Sequence, residues 1–331
     1  MTIMKTLLGA TAALAMAATA ALAEPGLIID LGGKFDKSFN ESAYTGAQRY
    51  ITEKGGSYKE TELQSEAQRE QSMRRMAESG ANPVITIGFM NISVLDKIAP
   101  DYPEVNFAII DGVVDQPNVK SVVFEEHQGS FLVGVLAAMA SKTGTVSFVG
   151  GMDVPLISKF ACGYAQGVKA VKPDAKVIIN MTGTTPAAWN DPVKGAELTR
   201  AQIAQGSDVV YSAAGGTGVG VLQAAADEGI YSIGVDSNQN YMHPGSVLTS
   251  MLKRVDNAVY QIFDEGATDS FVPGIQVMGL KNQGVDWALD EFNADLITPE
   301  MKDTVEATKA KIISGELSVH DFTTDGACPA F

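Results

Sequence analysis

The chain has few of the residues from which metal sites and enzyme active sites are usually built. Its 331 residues include only 3 histidines and 2 cysteines. The histidines, His127, His243 and His320, are too far apart for a metal-binding spacing. The Walker A sequence, the G-x-S-x-G turn and a cysteine–histidine motif are all missing. We therefore predict a protein that is not an enzyme and that needs no metal and no cofactor.

Positive charge is also scarce. The chain has 24 Lys and Arg residues against 39 Asp and Glu residues, a formal net charge of −15. Such an acidic protein repels nucleic acid and anionic lipid surfaces, so we expect neither as a partner. The same charge disfavours phosphorylated ligands. A neutral or zwitterionic small molecule is the expected ligand, bound by a monomer.

Long apolar runs occur only at the start of the chain. Residues 1–5 carry one positive charge, residues 7–22 are rich in Ala and Leu, and residues 21–23 read Ala-Leu-Ala. This order is typical of a secretory signal peptide, with cleavage predicted after Ala23. No cysteine near the cut could accept a lipid. We predict a periplasmic protein that diffuses freely and is not lipid-anchored.

The two cysteines, Cys162 and Cys328, both follow the predicted cleavage site. In an oxidising compartment, one disulfide could tie down the C-terminal tail. Two free thiols are an equal alternative, because the sequence contains no information on the distance between them.

Strand-like apolar runs alternate with helical patterns along the chain, and a second array of this kind begins near residue 145. Alternation of this type predicts a parallel doubly wound sheet in each of two α/β lobes, with a ligand cleft between them. Several short crossovers should join the lobes. We assign residues 24–124 and 253–273 to lobe 1, and residues 125–252 and 274–331 to lobe 2.

The first predicted strand is residues 26–29, and the loop after it carries several side chains that could bind a ligand. Asp30 stands at the carboxyl end of this strand, where open α/β sheets place their ligands. Phe39 and Asn40 follow, and Ser38 or Asn40 should cap the next helix. A carboxylate, an aromatic face and an amide suit a flat polar heterocycle. The alternative is an ordinary loop with a core Phe and a capping Asn.

Polar and aromatic residues recur near other strand ends, at Asp111, Asp236 and, in a flanking loop, Trp189. The carboxylates of Asp30, Asp111 and Asp236 would repel each other in one cleft unless ligand hydroxyls and a cation shared them. Lys253 could be that cation. Each Asp alone is better explained as a cap or turn residue. As a set, they predict a cleft that binds a sugar and a base.

The glycine-rich segment at residues 215–220 follows a predicted strand and opens a helix. Gly216, Gly218 and Gly220 give G-x-G-x-G, and Val221 stands where a dinucleotide-binding fingerprint needs its third glycine. We therefore prefer close approach of this backbone to a ligand or a neighbouring helix.

Several motifs give the chain a family resemblance between residues 27 and 284. They are Asp30-x-Gly-Gly-x-x-Asp36-Lys37-Ser38-Phe39-Asn40, Phe107-x-x-x-Asp111, Glu125-Glu126-x-x-Gly129-Ser130, Phe160-x-x-Gly163-Tyr164-x-x-Gly167, Asn190-Asp191-Pro192-x-x-Gly195 and Gly234-Val235-Asp236. With them the sequence resembles the basic membrane protein family of solute receptors, whose best understood branch is the purine nucleoside receptors of ABC transporters. The resemblance implies a type I periplasmic binding protein fold and an ABC permease as the membrane partner.

The same resemblance implies a role for each candidate ligand-binding residue. Asp30 and Asn40 would bond the purine edge, Phe39 and Trp189 would stack on the base, Asp111, Asp236 and Lys253 would bind the ribose hydroxyls, and Gly215 and Gly216 would line the pocket. Many members are lipoproteins, and this chain departs from them by lacking the lipid-accepting cysteine. The alternatives are another small polar ligand on the same fold, a secreted nucleoside hydrolase, and a sensory receptor.

Overall fold

Two six-stranded sheets, each covered by helices on both faces, make up the fold. The computed structural model describes residues 23–330. The predicted signal peptide, residues 1–23, therefore lies outside the described residues except for Ala23. In the described part of the chain, no helix is both long enough and apolar enough to cross a membrane.

The first sheet is parallel throughout, with strand order β11-β5-β4-β3-β1-β2. Its strands are β1 (Gly26–Ile29), β2 (Lys59–Glu62), β3 (Val84–Ile87), β4 (Phe107–Ile110), β5 (Val119–Phe124) and β11 (Gly274–Met278). Strands β1, β3 and β4 are apolar runs that are buried along their whole length. Burial on both faces is typical of parallel strands that lie between two layers of helices.

The second sheet has the order β12-β10-β9-β8-β6-β7 and is parallel except for its edge strand β12. Its strands are β6 (Thr145–Met152), β7 (Lys176–Gly183), β8 (Val209–Ala213), β9 (Tyr231–Asp236), β10 (Val247–Lys253) and β12 (Val285–Trp287). Strand β12 has only three residues, one of them acidic, and the sequence pattern did not predict it. Antiparallel pairing with β10 makes it a strand.

Nine helices are present in the described part of the chain. They are α1 (Phe39–Lys54), α2 (Arg69–Glu78), α3 (Ile92–Ile98), α4 (Glu126–Ala140), α5 (Pro155–Val171), α6 (Pro192–Ile203), α7 (Thr217–Asp227), α8 (Val255–Ala267) and α9 (Pro299–Ser314). Helices α1, α2, α3 and α8 cover the first sheet, and the others cover the second. The fold prediction of two doubly wound lobes is confirmed.

Three crossovers join the lobes, at residues 124–126, 253–255 and 278–285. One boundary of the predicted division is wrong. Residues 274–278 were assigned to lobe 2, but they form β11, which pairs in parallel with β5 in the first sheet. The chain crosses to lobe 2 only after this strand. The sheet to which a strand belongs depends on its distant partner, and its own sequence does not encode that choice.

Helices α4 and α5 pack unusually closely beside the crossovers. A Cβ atom on Gly134 would collide with the Tyr164 carbonyl, and one on Gly167 would collide with the Phe131 carbonyl. Close helix packing therefore explains the small residues of α4. Just beyond this contact, a disulfide joins Cys162 of α5 to Cys328 and holds the C-terminal tail against the helix.

Candidate functional site

One cavity between the lobes collects the carboxyl ends of strands from both sheets. The empty space among its lining atoms is about 650 Å³, including its open mouth. All but one of the predicted ligand-binding residues line it: Asp30, Phe39, Asn40, Asp111, Trp189, Gly215, Asp236 and Lys253. Gly216 does not line the cavity; it packs against the backbone of Trp189, whose carbonyl oxygen would stand 3.3 Å from an added Cβ. That these residues bind a ligand remains a prediction.

Asp30, at the end of β1, has a buried cationic partner that the sequence did not reveal. Arg69, the first residue of α2, places Nη1 2.6 Å from Asp30 Oδ1. The same guanidinium donates to Asn91 Oδ1 at 3.0 Å. Burial raises the pKa of Asp30, and the Arg69 charge opposes that rise. Arg69 was overlooked because α2 is highly charged and looks like a solvated helix.

The start of α1 is capped by Asp36, not by the side chain of Ser38 or Asn40 as predicted. The Asp36 carboxylate accepts hydrogen bonds from the backbone N–H groups of Ser38, Asn40 and Glu41, at 2.8 to 3.0 Å. Three donors at a helix N-terminus are a strong anion site. Burial nevertheless raises the pKa of Asp36 to about 6, since its carboxylate is almost completely desolvated. The side chains of Ser38 and Asn40 are thereby available for other contacts.

Aromatic and apolar walls come from both lobes. Phe39 opens α1 in lobe 1, and Trp189 closes a short 3₁₀ turn, Pro186–Trp189, in lobe 2. The Trp189 ring fits there because residue 151 is Gly; a Cβ at that position would collide with the indole. Helix α5 adds Leu156 and Phe160, which the sequence analysis did not propose as wall residues.

A buried charge cluster occupies the floor of the cavity around Lys253, the last residue of β10. Its Nζ lies 2.5 Å from Asp111 Oδ2 and 3.0 Å from Glu126 Oε1. Glu126 begins α4 and also pairs with Lys159, at 3.0 Å. Asp111 Oδ1 is buried and has no hydrogen-bond partner among residues 23–330. Lys253 was predicted as the shared cation, and Glu126 is the carboxylate that the prediction missed.

The electrostatics of this cluster are set by burial and by Lys253. Burial raises the pKa of Asp111 to about 6 and that of Asp236 to about 6, and Lys253 limits both shifts. Burial alone would lower the pKa of Lys253, but the surrounding carboxylates hold it above its ordinary value. Burial also acts to raise the pKa of Glu126, yet Lys253 and Lys159 keep it below its usual range. The cluster therefore presents acceptor oxygens around a permanent cation.

Direct hydrogen bonds also join the two lobes across the cleft. Ser38 Oγ donates to Asp236 Oδ2 at 2.5 Å, and Ser237 Oγ donates to the Ser38 carbonyl at 2.9 Å. Gln239 Nε2 donates to the Lys37 carbonyl, also at 2.9 Å. We call these three bonds the closure contacts. They join the segment before α1 in lobe 1 to Asp236, at the end of β9, and to the loop that follows it in lobe 2.

Among residues 23–330, no group of three or more His, Cys, Asp or Glu side chains is arranged to hold a metal ion. The acidic residues of the cavity are engaged by lysine, arginine, hydroxyl and backbone N–H groups. Such an arrangement can accept hydrogen bonds from hydroxyl and N–H groups.

Comparison with known proteins identifies the family. Residues 26–323 match the family model described as ABC transporter substrate-binding protein PnrA-like. The chain belongs to this family. It is 35% identical over 317 residues to the ABC transporter nucleoside-binding protein BmpA of Lactococcus lactis, with 88% of each chain covered. A Pyrococcus furiosus relative named as a lipoprotein is 33% identical over 280 residues, covering 80% of this chain and 70% of its own.

A solved structure supports the same assignment. An ABC transporter solute-binding protein from Aeropyrum pernix K1 superposes with a TM-score of 0.82 at 29% identity, covering 89% of this chain and 92% of its own. The family resemblance and the periplasmic binding protein fold predicted from the sequence are both confirmed. Membership of this family implies a small-molecule ligand and a transporter permease as partner.

Proposed function

We propose that the protein is the exported receptor of an ABC importer and binds a purine nucleoside (adenosine, guanosine or inosine) between its two lobes. The observation that carries this proposal is the combination, in one cavity, of aromatic walls with a buried cluster of acceptors. Phe39 and Trp189 supply the walls, and Asp111, Asp236 and Lys253 supply the polar floor. The relative from Lactococcus lactis, named as nucleoside-binding, supports the choice of ligand class.

The polar floor favours a ribose. A buried acceptor without a partner costs about 1–3 kcal/mol, so Asp111 Oδ1 needs a donor in the working complex. Adjacent sugar hydroxyls provide such donors and can accept from the Lys253 ammonium in return. Asp236, held by Ser38 Oγ, is the second carboxylate of this floor.

The walls favour a flat base. Phe39 and Trp189 come from opposite lobes, so a ring that contacts both would stabilise the closed arrangement. Aromatic pairs contribute about 0.5–1.5 kcal/mol beyond the area that they bury. Asp30, just after β1, and Asn40, in the first turn of α1, both line the cavity and would hydrogen-bond the edge of the base.

The remaining parts of the proposal concern location and assembly. We propose that the receptor works in the periplasm as a monomer, performs no chemistry on its ligand and contacts no nucleic acid. Some relatives carry the name lipoprotein. In this chain both cysteines are engaged in one disulfide, so neither has a thiol free for a lipid. Fractionation of cells that express the full chain would test this point, because a lipid-anchored receptor would sediment with the membranes.

Thermal unfolding of the mature chain against a ligand panel tests the proposal. The panel contains adenosine, guanosine, inosine, cytidine, uridine, the free bases and ribose. A ligand at about 1,000 times its Kd stabilises the folded state by about 4 kcal/mol, which gives a clear rise in Tm. We expect this rise with purine nucleosides, and we expect inosine to remain intact after incubation with the protein.

Matched variants locate the site. Phe39→Ala and Asp111→Asn should each weaken nucleoside binding by about 1–3 kcal/mol. Phe292→Ala, at an exposed phenylalanine outside the cavity, should leave binding unchanged. The proposal is overturned if no nucleoside raises the Tm, or if release of free base from inosine accompanies binding.

A further inference from the structure

The NH₂ end of the Asn40 side-chain amide is hydrogen-bonded to the protein, whereas its oxygen has no partner in the described part of the chain. Its Nδ2 lies within hydrogen-bonding distance of three carbonyl oxygens, those of Asp30, Leu31 and Gly33, at 3.1 to 3.3 Å. An amide nitrogen carries only two hydrogens, so three carbonyls leave none to spare. These carbonyls also fix which end is NH₂. Asn40 Oδ1 is buried without a partner in the described part of the chain, so what remains is an acceptor.

Asp30 presents a second acceptor on the same side of the cavity. Its Oδ1 is taken by Arg69 and by the backbone N–H of Leu31. Its Oδ2 lies against the Cα of Gly88, where any side chain at that position would collide with it. The carboxylate of Asp36 also lines the cavity, and its oxygens accept from backbone donors. Asn40 Oδ1 and Asp30 Oδ2 are therefore the two acceptors that lobe 1 leaves open in this part of the cavity.

The ion pair with Arg69 keeps the Asp30 carboxylate in the form that accepts hydrogen bonds. A cation at the first position of a helix is disfavoured by the helix dipole, so α2 itself does not explain this residue. Arg69 is only 4% exposed, and its guanidinium joins Asp30 to Asn91, at the turn after β3. The ion pair holds the buried carboxyl in its charged form, which accepts hydrogen bonds and cannot donate them.

We infer that the cavity selects nucleosides whose base edge presents N–H donors, the 6-oxopurine nucleosides guanosine and inosine, over adenosine, and that Arg69 is the positioning residue for this preference. The inference rests on the proposed function and narrows its ligand class. Guanine offers N1–H and the 2-amino group, and hypoxanthine offers N1–H. Adenine offers its 6-amino group but turns the N1 lone pair toward acceptors, which leaves one acceptor unpaired.

Isothermal titration with guanosine, inosine, adenosine and 1-methylguanosine tests the inference. We expect affinity to fall in the order guanosine, inosine, adenosine, with guanosine bound at least about tenfold more tightly than adenosine, as one unpaired buried acceptor implies. 1-Methylguanosine, which lacks N1–H, should lose most of the advantage of guanosine. Adenosine binding as tightly as guanosine overturns the inference and leaves the proposed function standing. Absence of binding by every nucleoside overturns both.

Variants separate the edge chemistry from general damage to the site. Asp30→Asn adds an NH₂ donor and should shift the guanosine-to-adenosine ratio toward adenosine by at least about tenfold. Arg69→Gln should weaken the same preference, and Arg69→Lys should retain part of it. Asp101→Asn, at an exposed partner of Arg74, should change nothing. An unchanged ratio in both Asp30→Asn and Arg69→Gln, with ribose-dependent binding retained, also overturns the inference.

Discussion

The charge cluster on the cavity floor makes Lys253 the most sensitive single position in the site. Replacing it by Met keeps an unbranched side chain of similar length and removes the ammonium group, with its charge and its N–H donors. Asp111 and Glu126 then lose a cation at 2.5 Å and 3.0 Å while remaining buried. Breaking a buried ion pair by removing one partner costs about 3–5 kcal/mol. We expect Lys253→Met to lower the free energy of unfolding by that amount at pH 8.

The size of this loss should depend on pH in a defined direction. The pKa values of Asp111 and Asp236 are raised to about 6 in the folded protein, so the folded state binds more protons than the unfolded state. The stability that these carboxyl groups contribute is therefore present at low pH and lost as pH rises through about 6. Without Lys253 both pKa values rise further, and the variant gains more from acid. The difference between wild type and variant should shrink from pH 8 to pH 5.

Denaturant titration of both proteins at pH 8, 6.5 and 5 measures the effect, with thermal unfolding as a second measurement. At about 2–4 °C per kcal/mol, the Tm of the variant at pH 8 should fall by roughly 6–20 °C. Lys97→Met is the matched control, because Lys97 pairs with Glu70 at the surface and should matter by less than about 0.5 kcal/mol. A loss below about 1 kcal/mol at pH 8, or one that grows toward pH 5, refutes the reasoning.

Three further changes test other parts of the site. Gly88→Ala, at φ +95°, drives a Cβ into Asp30 Oδ2 and should reduce nucleoside affinity at least about tenfold, measured by titration; unchanged affinity contradicts this use of Asp30. Ser38→Ala removes the hydroxyl that donates to Asp236 and should weaken binding about tenfold with little change in Tm; equal affinity would separate the closure contacts from binding. Reducing the disulfide, whose cysteines are 166 residues apart, should cost at most about 5 kcal/mol in denaturant titration, and a larger loss would show that the tail contributes more than chain entropy.

The elements that the sequence predicted well are those with a complete local signature. Strand β3 reads Val-Ile-Thr-Ile and is buried at every position, so its burial and its strand character follow from the same four residues. The sequence pattern indicates a helix over residues 160–171, but α5 begins earlier, at Pro155. Proline is common in the first turn of helices, and this signal was present in the sequence. The sequence pattern indicates a strand over residues 145–149, but β6 extends to Met152, because β7 continues alongside it.

Residues of the candidate site could be predicted where their position at the end of a strand is itself informative. Asp111 follows β4, Asp236 ends β9, and both adopt positive φ, +66° and +62°, a conformation that Asp tolerates better than most residues. The partners of such residues could not be inferred in the same way. Arg69 and Glu126 look like ordinary charged residues at helix starts, and only the folded chain brings them against Asp30 and Lys253.

The balance between the closure contacts and the unpaired acceptors suggests how a ligand would control closure. Each closure contact contributes about 0.5–1.5 kcal/mol, and more where Asp236 takes part. Closing the lobes without a donor for Asp111 Oδ1 or Asn40 Oδ1 would cost about 1–3 kcal/mol for each atom. These opposing energies are similar, so neither lobe arrangement should dominate strongly in the free receptor. A ligand that supplied donors to both atoms would remove the cost while retaining the contacts, and this differential affinity would drive closure.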